Sequence, residues 1–185
     1  MKRSVGLESV LIALIGLAFA VGTGGSTPVA PDKLPEPVAN TFKTLFPNGT
    51  INKLDVEEEE GVMVYDFEFR AGDREKEADI AGDGTMLEST LVVMAKDVPA
   101  PAMKAIKKAA GSAKLGRIEW LETFYKTEAG KVIQLPKAEI HYAAELLRDG
   151  KMTEVFVTPS GKVTEAPNWK TATPVTTSTG GNTGK

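Results

Sequence analysis

The stretch Asp79–Glu88 (DIAGDGTMLE) places acidic side chains and glycines in the order of a calcium loop. Such a loop needs oxygen ligands at positions 1, 3 and 5, Gly at 6 and a bidentate Glu at 12. Counted from Asp79, position 3 is Ala81 and position 12 is Thr90, and Glu88 arrives two residues early. The spacing therefore predicts a β-turn at Gly82-Asp83-Gly84 between two strands, and no metal site is assigned.

Other chemistry has little material. His141 is the only histidine, flanked by Glu139 and Glu145. A Ser-His-Asp site needs a serine held on a strained turn, and no G-x-S-x-G is present. Walker and dinucleotide fingerprints are absent, and the cysteine count of 0 excludes thiol chemistry and zinc fingers. Carboxylates are plentiful, above all Asp55–Glu60 (DVEEEE). Strand alternation sets them on exposed faces, where no burial raises a carboxylate toward catalytic range. The expectation is no catalytic residue and no cofactor. DVEEEE itself reads as a solvated edge or a contact surface for a basic partner.

These residues need positioning elements. PEPVANTFKTLF (residues 35–46) carries Val38, Phe42, Leu45 and Phe46 on one helical stripe. PAPAMKAIKKAAG (residues 99–111) turns Met103, Ile106 and Ala110 one way and Lys104, Lys107 and Lys108 the other. In MVYDFEFR (residues 63–70), Met63, Tyr65, Phe67 and Phe69 share a face opposite Val64, Asp66, Glu68 and Arg70. Val155 and Val157 match inward positions, so Phe156 points to the helix-free face, either exposed beside His141 or buried under a neighbouring segment.

The two helices begin similar stretches. Leu34-Pro35-Glu36-Pro37 matches Val98-Pro99-Ala100-Pro101 at an offset of 64, which also pairs Asp55 with Glu119. An offset of 77 then pairs Glu68 with Glu145, Glu77 with Glu154 and Gly84 with Gly161. The 13-residue difference falls between Glu122 and Glu139, where a longer hairpin loop is expected. The predicted fold class is α+β: two tandem units, each one helix packed on an about four-stranded antiparallel sheet.

The termini read differently. Lys2 and Arg3, an apolar run from Val10 to Val21 and Ala18-Phe19-Ala20 form an export signal. The run is shorter than the roughly 20 residues of a membrane span. Expected segments are a signal peptide (1–20), a flexible linker (21–33), two units (34–94 and 95–169) and a disordered polar tail (170–185). A secreted chain without cysteine fits a bacterial periplasmic or extracellular protein, with no membrane span after cleavage. The net charge of -3 has the wrong sign for nucleic acid.

The Leu-Pro-x-x-Val-x-x-x-Phe-x-x-x-Phe-Pro opening at Leu34–Pro47, then strands, then Asp83-Gly84 before an apolar position, resembles the PepSY-like domains of exported bacterial proteins. Those are also described as similar to β-lactamase-inhibitor proteins. The second unit departs from the pattern, with Lys108-Ala109-Ala110-Gly111 where Phe-Pro would stand. The resemblance implies a helix over an antiparallel sheet, often in tandem, and relatives that bind or restrain peptidases. The expected function is an exported, non-enzymatic module docking a protein or peptide, with a peptidase as one such partner. Candidate surface contacts are Phe156, His141, Asp66, Glu68 and Glu145. The alternative is an envelope protein that senses a cation or ligand.

Overall fold

Proline starts both helices. In α1 (Glu36–Leu45), Pro35 is the N-cap and Pro37 sits in the first turn; in α2 (Ala100–Ala110), Pro99 and Pro101 do the same. The missing N–H costs nothing there, because first-turn amides have no helical partner. Gly111 closes α2 at φ 57°. Val38 and Phe42 are buried, whereas Leu45 is half exposed, so the stripe on α1 is narrower than its sequence spacing predicts.

The computed structural model describes residues 26–175. The expected signal peptide lies outside the described residues, as do residues 21–25 of the linker and 176–185 of the tail. After the edge strand β1 (Thr27–Pro28) and α1 come β2 (Gly49–Glu59), β3 (Val62–Ala71), β4 (Arg74–Ala81) and β5 (Met86–Val92). After α2 come β6 (Lys114–Glu128), β7 (Lys131–Arg148), β8 (Lys151–Val157), β9 (Val163–Glu165) and β10 (Thr173–Pro174). Among the described residues no helix is long and apolar enough to cross a membrane.

The expected α+β arrangement of two tandem helix-on-sheet units is overturned. β5 pairs with β6 from Glu88↔Thr123 to Val92↔Glu119, which joins all ten strands into one antiparallel sheet. Strand pairing satisfies the backbone groups that separate units would leave at two exposed edges. Both short helices lie on one face of it. Phe42 of α1 stacks on Phe67 at 4.4 Å between ring centroids and meets Phe69 edge-on at 5.0 Å. Ile106 of α2 packs with Ile118, Tyr142, Leu146 and Val155.

Two further expectations change. Residues 27–28 of the linker pair with β2, and residues 173–174 of the tail pair with β8. Each opens a Thr-Pro-Val tripeptide, whose valine N–H bonds a neighbouring carbonyl, Val29 to Leu54 in β2 and Val175 to Gly150 in the β7–β8 turn. A short proline-bearing strand on an edge blocks further pairing. The expected long loop between Glu122 and Glu139 is instead strand. β6 and β7 run on past Thr123 as a two-stranded arm. Tyr125 and Val132 pack on Val64, Ala81 and Leu87, and Gly130 N–H donates to Glu60 O at the β2–β3 hairpin tip.

Two glycines seat strand turns against the helix starts. At Gly84 (φ +89°) an added Cβ would lie 2.9 Å from Pro37 O, and at Gly161 (φ +86°) 2.6 Å from Pro101 O. Gly130 also has positive φ but faces open space. Urea unfolding of Gly84→Ala and Gly161→Ala should each show a loss of about 1–3 kcal/mol. Gly130→Ala, which adds only backbone strain, should lose clearly less.

Candidate functional site: an acidic, helix-free sheet face

Alternation sends one set of strand side chains to the helices and the other to the helix-free face. On that face carboxylates form rows across strands. Asp55, Asp66, Asp79 and Glu88 are successive cross-strand neighbours on β2, β3, β4 and β5. In the next row stand Lys53, Glu68, Glu77 and Thr90. Farther along, Glu145 faces Glu154, and Glu119 faces Ala143, which faces Phe156. Like charges directly opposite one another destabilise a sheet.

The face is curled. One cleft of about 40 Å³ is lined from Glu57 and Glu59 on β2, through Asp79 on β4 and Glu119 on β6, to Glu154 and Phe156 on β8. Seven flat strands would spread about 29 Å at roughly 4.8 Å per step. Only a concave face brings both ends to one cleft. Its space admits a few waters or one small charged group.

Two cations neutralise part of this surface in the same way. Lys53 Nζ lies 2.6 Å from Asp55 and 3.1 Å from Glu68. Arg117 Nε lies 2.9 Å from Glu119 and 3.6 Å from Glu145, and its Nη2 lies 3.8 Å from Glu77. Lys53 and Arg117 are 64 residues apart, as are Asp55 and Glu119, while Glu68 and Glu145 are 77 apart. Each cation sits at a break in strand register: Lys53 ends the one that begins after Ile51, and Arg117 lies inside the one between Leu115 and Ile118. Such bulges re-aim a side chain. Gly116 makes the second one possible, since a Cβ there would lie 2.7 Å from Glu145 Oε2. That oxygen accepts the Arg117 backbone N–H at 3.0 Å.

Between the two cations the charge is unbalanced. Among the described residues, no Lys, Arg or His lies within ion-pair distance of Glu57, Glu59, Asp66, Asp79, Glu88 or Glu154. Burial, then neighbouring acids, pushes Glu59 and Glu154 up to about 7 and Asp66 to about 6. Burial and Glu119 raise Glu77 to about 9 despite Arg117. Burial raises Glu119 to about 7, with Arg117 opposing. Asp79 is raised by burial, then by Asp66 and Glu88. Asp55 behaves oppositely: burial works against its charge, but Lys53 outweighs it and holds the carboxyl below its usual range.

The candidate contacts divide. Asp66, Glu68 and His141 are half-buried on the concave face. Glu145 is 5% exposed and holds the Arg117 bulge, and Phe156 is 3% exposed, packed with Leu121 and Ala143. Neither is a free surface contact, because the curl of the sheet covers them. The expectation that the strand carboxylates stay solvated also fails, for the same reason. DVEEEE splits by alternation: Asp55, Glu57 and Glu59 enter the concave face, and Glu58 and Glu60 face outward. The turn at Gly82–Gly84 is present, with Asp83 accepting the Thr85 N–H at 2.8 Å. Asp79 and Glu88, the ends of that motif, meet across β4 and β5. Among the described residues, no group of three or more His, Cys, Asp or Glu side chains is arranged to hold a metal ion. Sequence reasoning missed Lys53, Arg117, Asp79 and Glu119 as a set, although the 64-residue offset that pairs Asp55 with Glu119 also pairs Lys53 with Arg117.

These shifts fix a pH dependence. A carboxyl whose folded pKa exceeds its unfolded value, about 4, weakens the fold while ionised. Stability therefore rises as pH falls from about 9 through about 6, toward the unfolded value. Below that value the depressed Asp55 protonates and its stabilisation is lost. Thermal melts should show a higher Tm at pH 5.5 than at pH 8.5. Asp79→Asn should remove most of its own share and raise stability at pH 8 by about 1 kcal/mol.

No family model and no curated protein matches the chain. Solved structures do match. A DUF2874 family protein from Bacteroides uniformis is 16% identical with a TM-score of 0.52, over 71% of this chain and 87% of that one. A protein from Bacteroides eggerthii, provisionally described as periplasmic, is 15% identical with a TM-score of 0.52, over 71% and 86%. A BLIP-like protein from Bacteroides fragilis is 16% identical with a TM-score of 0.50, over 72% and 84%. At this identity the chain shares the fold of these proteins, and the likeness extends to fold alone.

Proposed function

We propose that the chain is an exported, non-enzymatic binding module that docks a protein or peptide on the concave, helix-free face of its sheet. One observation carries the reading: a curled face whose carboxylates outnumber its cations and oppose one another directly. A fold gains nothing from such rows by itself, and concave surfaces with converging polar groups are the usual binding sites. The export signal and the fold shared with a provisionally periplasmic protein support a periplasmic or extracellular location. The PepSY-like opening and the BLIP-like neighbour favour an enzyme as partner, with inhibition or regulation of a peptidase as the form of control. The acidic rows favour one second reading, a cation-sensing envelope protein.

Thr90 lies in the middle of the face, between Glu77 and Leu121 across the neighbouring strands. Thr90→Arg fills the cleft from within. Mature protein, this variant and Lys104→Glu on the opposite side would be immobilised and exposed to envelope extract. Circular dichroism would first establish that all three fold. A partner retained by the native protein and Lys104→Glu, and lost by at least tenfold with Thr90→Arg, is the expected result. Equal retention on Thr90→Arg removes the concave face from the reading.

A further inference from the structure

The two helices are held alike and differ on their solvent side. α1 buries Val38 and Phe42, and α2 buries Ala102, Ile106 and Ala110, each behind a proline start and over a glycine seat. At the 64-residue offset, residues 30–50 of the first half match residues 94–114 of the second. The first stretch carries Asp32, Lys33, Glu36 and Lys43, two charges of each sign. The second carries Lys96, Lys104, Lys107, Lys108 and Lys114 against Asp97 alone, a net of +4. Asn40, Thr44 and Thr50 stand where Lys104, Lys108 and Lys114 are, so a helix in this position packs without those lysines.

Lys104, Lys107 and Lys108 share one exposed face of α2, at spacings of three and four residues, and Lys96 and Lys114 flank it, both exposed. Among the described residues, none of the five lies within ion-pair distance of a carboxylate. Lys107 and Lys108 suit the C-terminal end of a helix. Lys96 and Lys104 have no such role, and Lys104 repels Lys108 one turn on. A second observation lies beside them. Met94, on the connection from β5 to α2 and two residues before Lys96, is 60% exposed, the most of any large apolar side chain among the described residues. Its counterpart in the first half is Ala30.

We infer that the α2 side of the protein docks on an anionic lipid bilayer, its lysines over lipid phosphates and Met94 in the headgroup layer. A basic surface with a protruding apolar residue is held at such an interface without crossing it. Lysine is a flexible point charge, suited to a field of mobile phosphates. Protein contact surfaces are instead depleted in lysine and anchored by aromatic side chains or arginine. Trp120 and Trp169 are half-buried against the α2 core. The export signal brings the chain to a bilayer surface. This contact is independent of docking on the concave face, which lies on the other side of the sheet. The same anionic surface repels the carboxylates there and leaves that face turned toward solvent.

The probe is a vesicle of phosphatidylcholine containing about one third phosphatidylglycerol, with vesicles of phosphatidylcholine alone beside it. Binding of the mature protein is read by sedimentation. The anionic vesicles should bind at least tenfold more tightly, and raised salt should remove most of the difference. K96Q/K104Q/K108Q should lose at least tenfold at low salt while Tm stays level or rises, which separates lost binding from lost folding. K126Q/K131Q/K137Q, which removes the same charge from the β6–β7 arm, should change binding less than twofold. Met94→Ser should weaken binding at either salt concentration, because an apolar contact is not screened. Equal binding to both vesicles, equal loss in the two triple variants, or no change with Met94→Ser would each overturn the inference. So would tighter binding to soluble polyglutamate, which marks an acidic protein as the partner, or full displacement by soluble glycerophosphoglycerol, which marks a headgroup pocket in place of a surface.

Discussion

A single sheet has two faces, and α1 and α2 cover only one of them. Everything on the other face follows from that constraint. Strand alternation commits half of the side chains to the uncovered side, so the apolar set goes under the helices and the acidic set goes opposite. Because β5 pairs with β6, the acidic sets of both halves lie on one continuous surface. Curling then turns the surface into a cleft and withdraws its carboxylates from water.

Withdrawal from water costs free energy, and the structure offsets part of it locally. Lys53 and Arg117 each sit at a break in strand register and each hold two carboxylates. The bulge matters because regular alternation alone does not aim a long basic side chain along the strand. Gly116 and Glu145 build the second bulge together: one leaves out a side chain and the other accepts the backbone N–H. Glu145 is therefore a positioning residue for Arg117. The row from Asp66 to Glu88 has no such device, and its uncompensated charge distinguishes it from a merely solvated strand face.

The β6–β7 arm adds a different kind of order. Its residues leave the sheet after Thr123, where register with β7 is also broken, and pack Tyr125 and Val132 over Val64 and Leu87. That apolar contact closes one end of the concave face and leaves the acidic rows beside it. The Thr-Pro-Val segments cover part of each sheet edge, over Asp55 and Val56 of β2 and over Lys151 and Met152 of β8.

Sequence alone determined the local elements. Pro-x-Pro starts, apolar spacing at three and four residues, and alternation in MVYDFEFR fix where α1, α2 and β3 lie, because those signals depend only on near neighbours along the chain; burial departs from them at Leu45 and Met63, which are exposed, and at Val64, which the β6–β7 arm covers. The turn at Gly82–Gly84 is legible for the same reason. The union of two expected units into one sheet is not, since β5–β6 pairing is a contact between segments separated by a whole helix. Nor is the site. Asp55, Asp66, Asp79 and Glu88 look like four scattered acids in sequence, and each alone would be solvated. Only strand register puts them in one row, and only curvature takes that row out of water. Burial of Phe156 and Glu145 has the same origin, because exposure depends on what the opposite end of the sheet covers rather than on alternation along one strand.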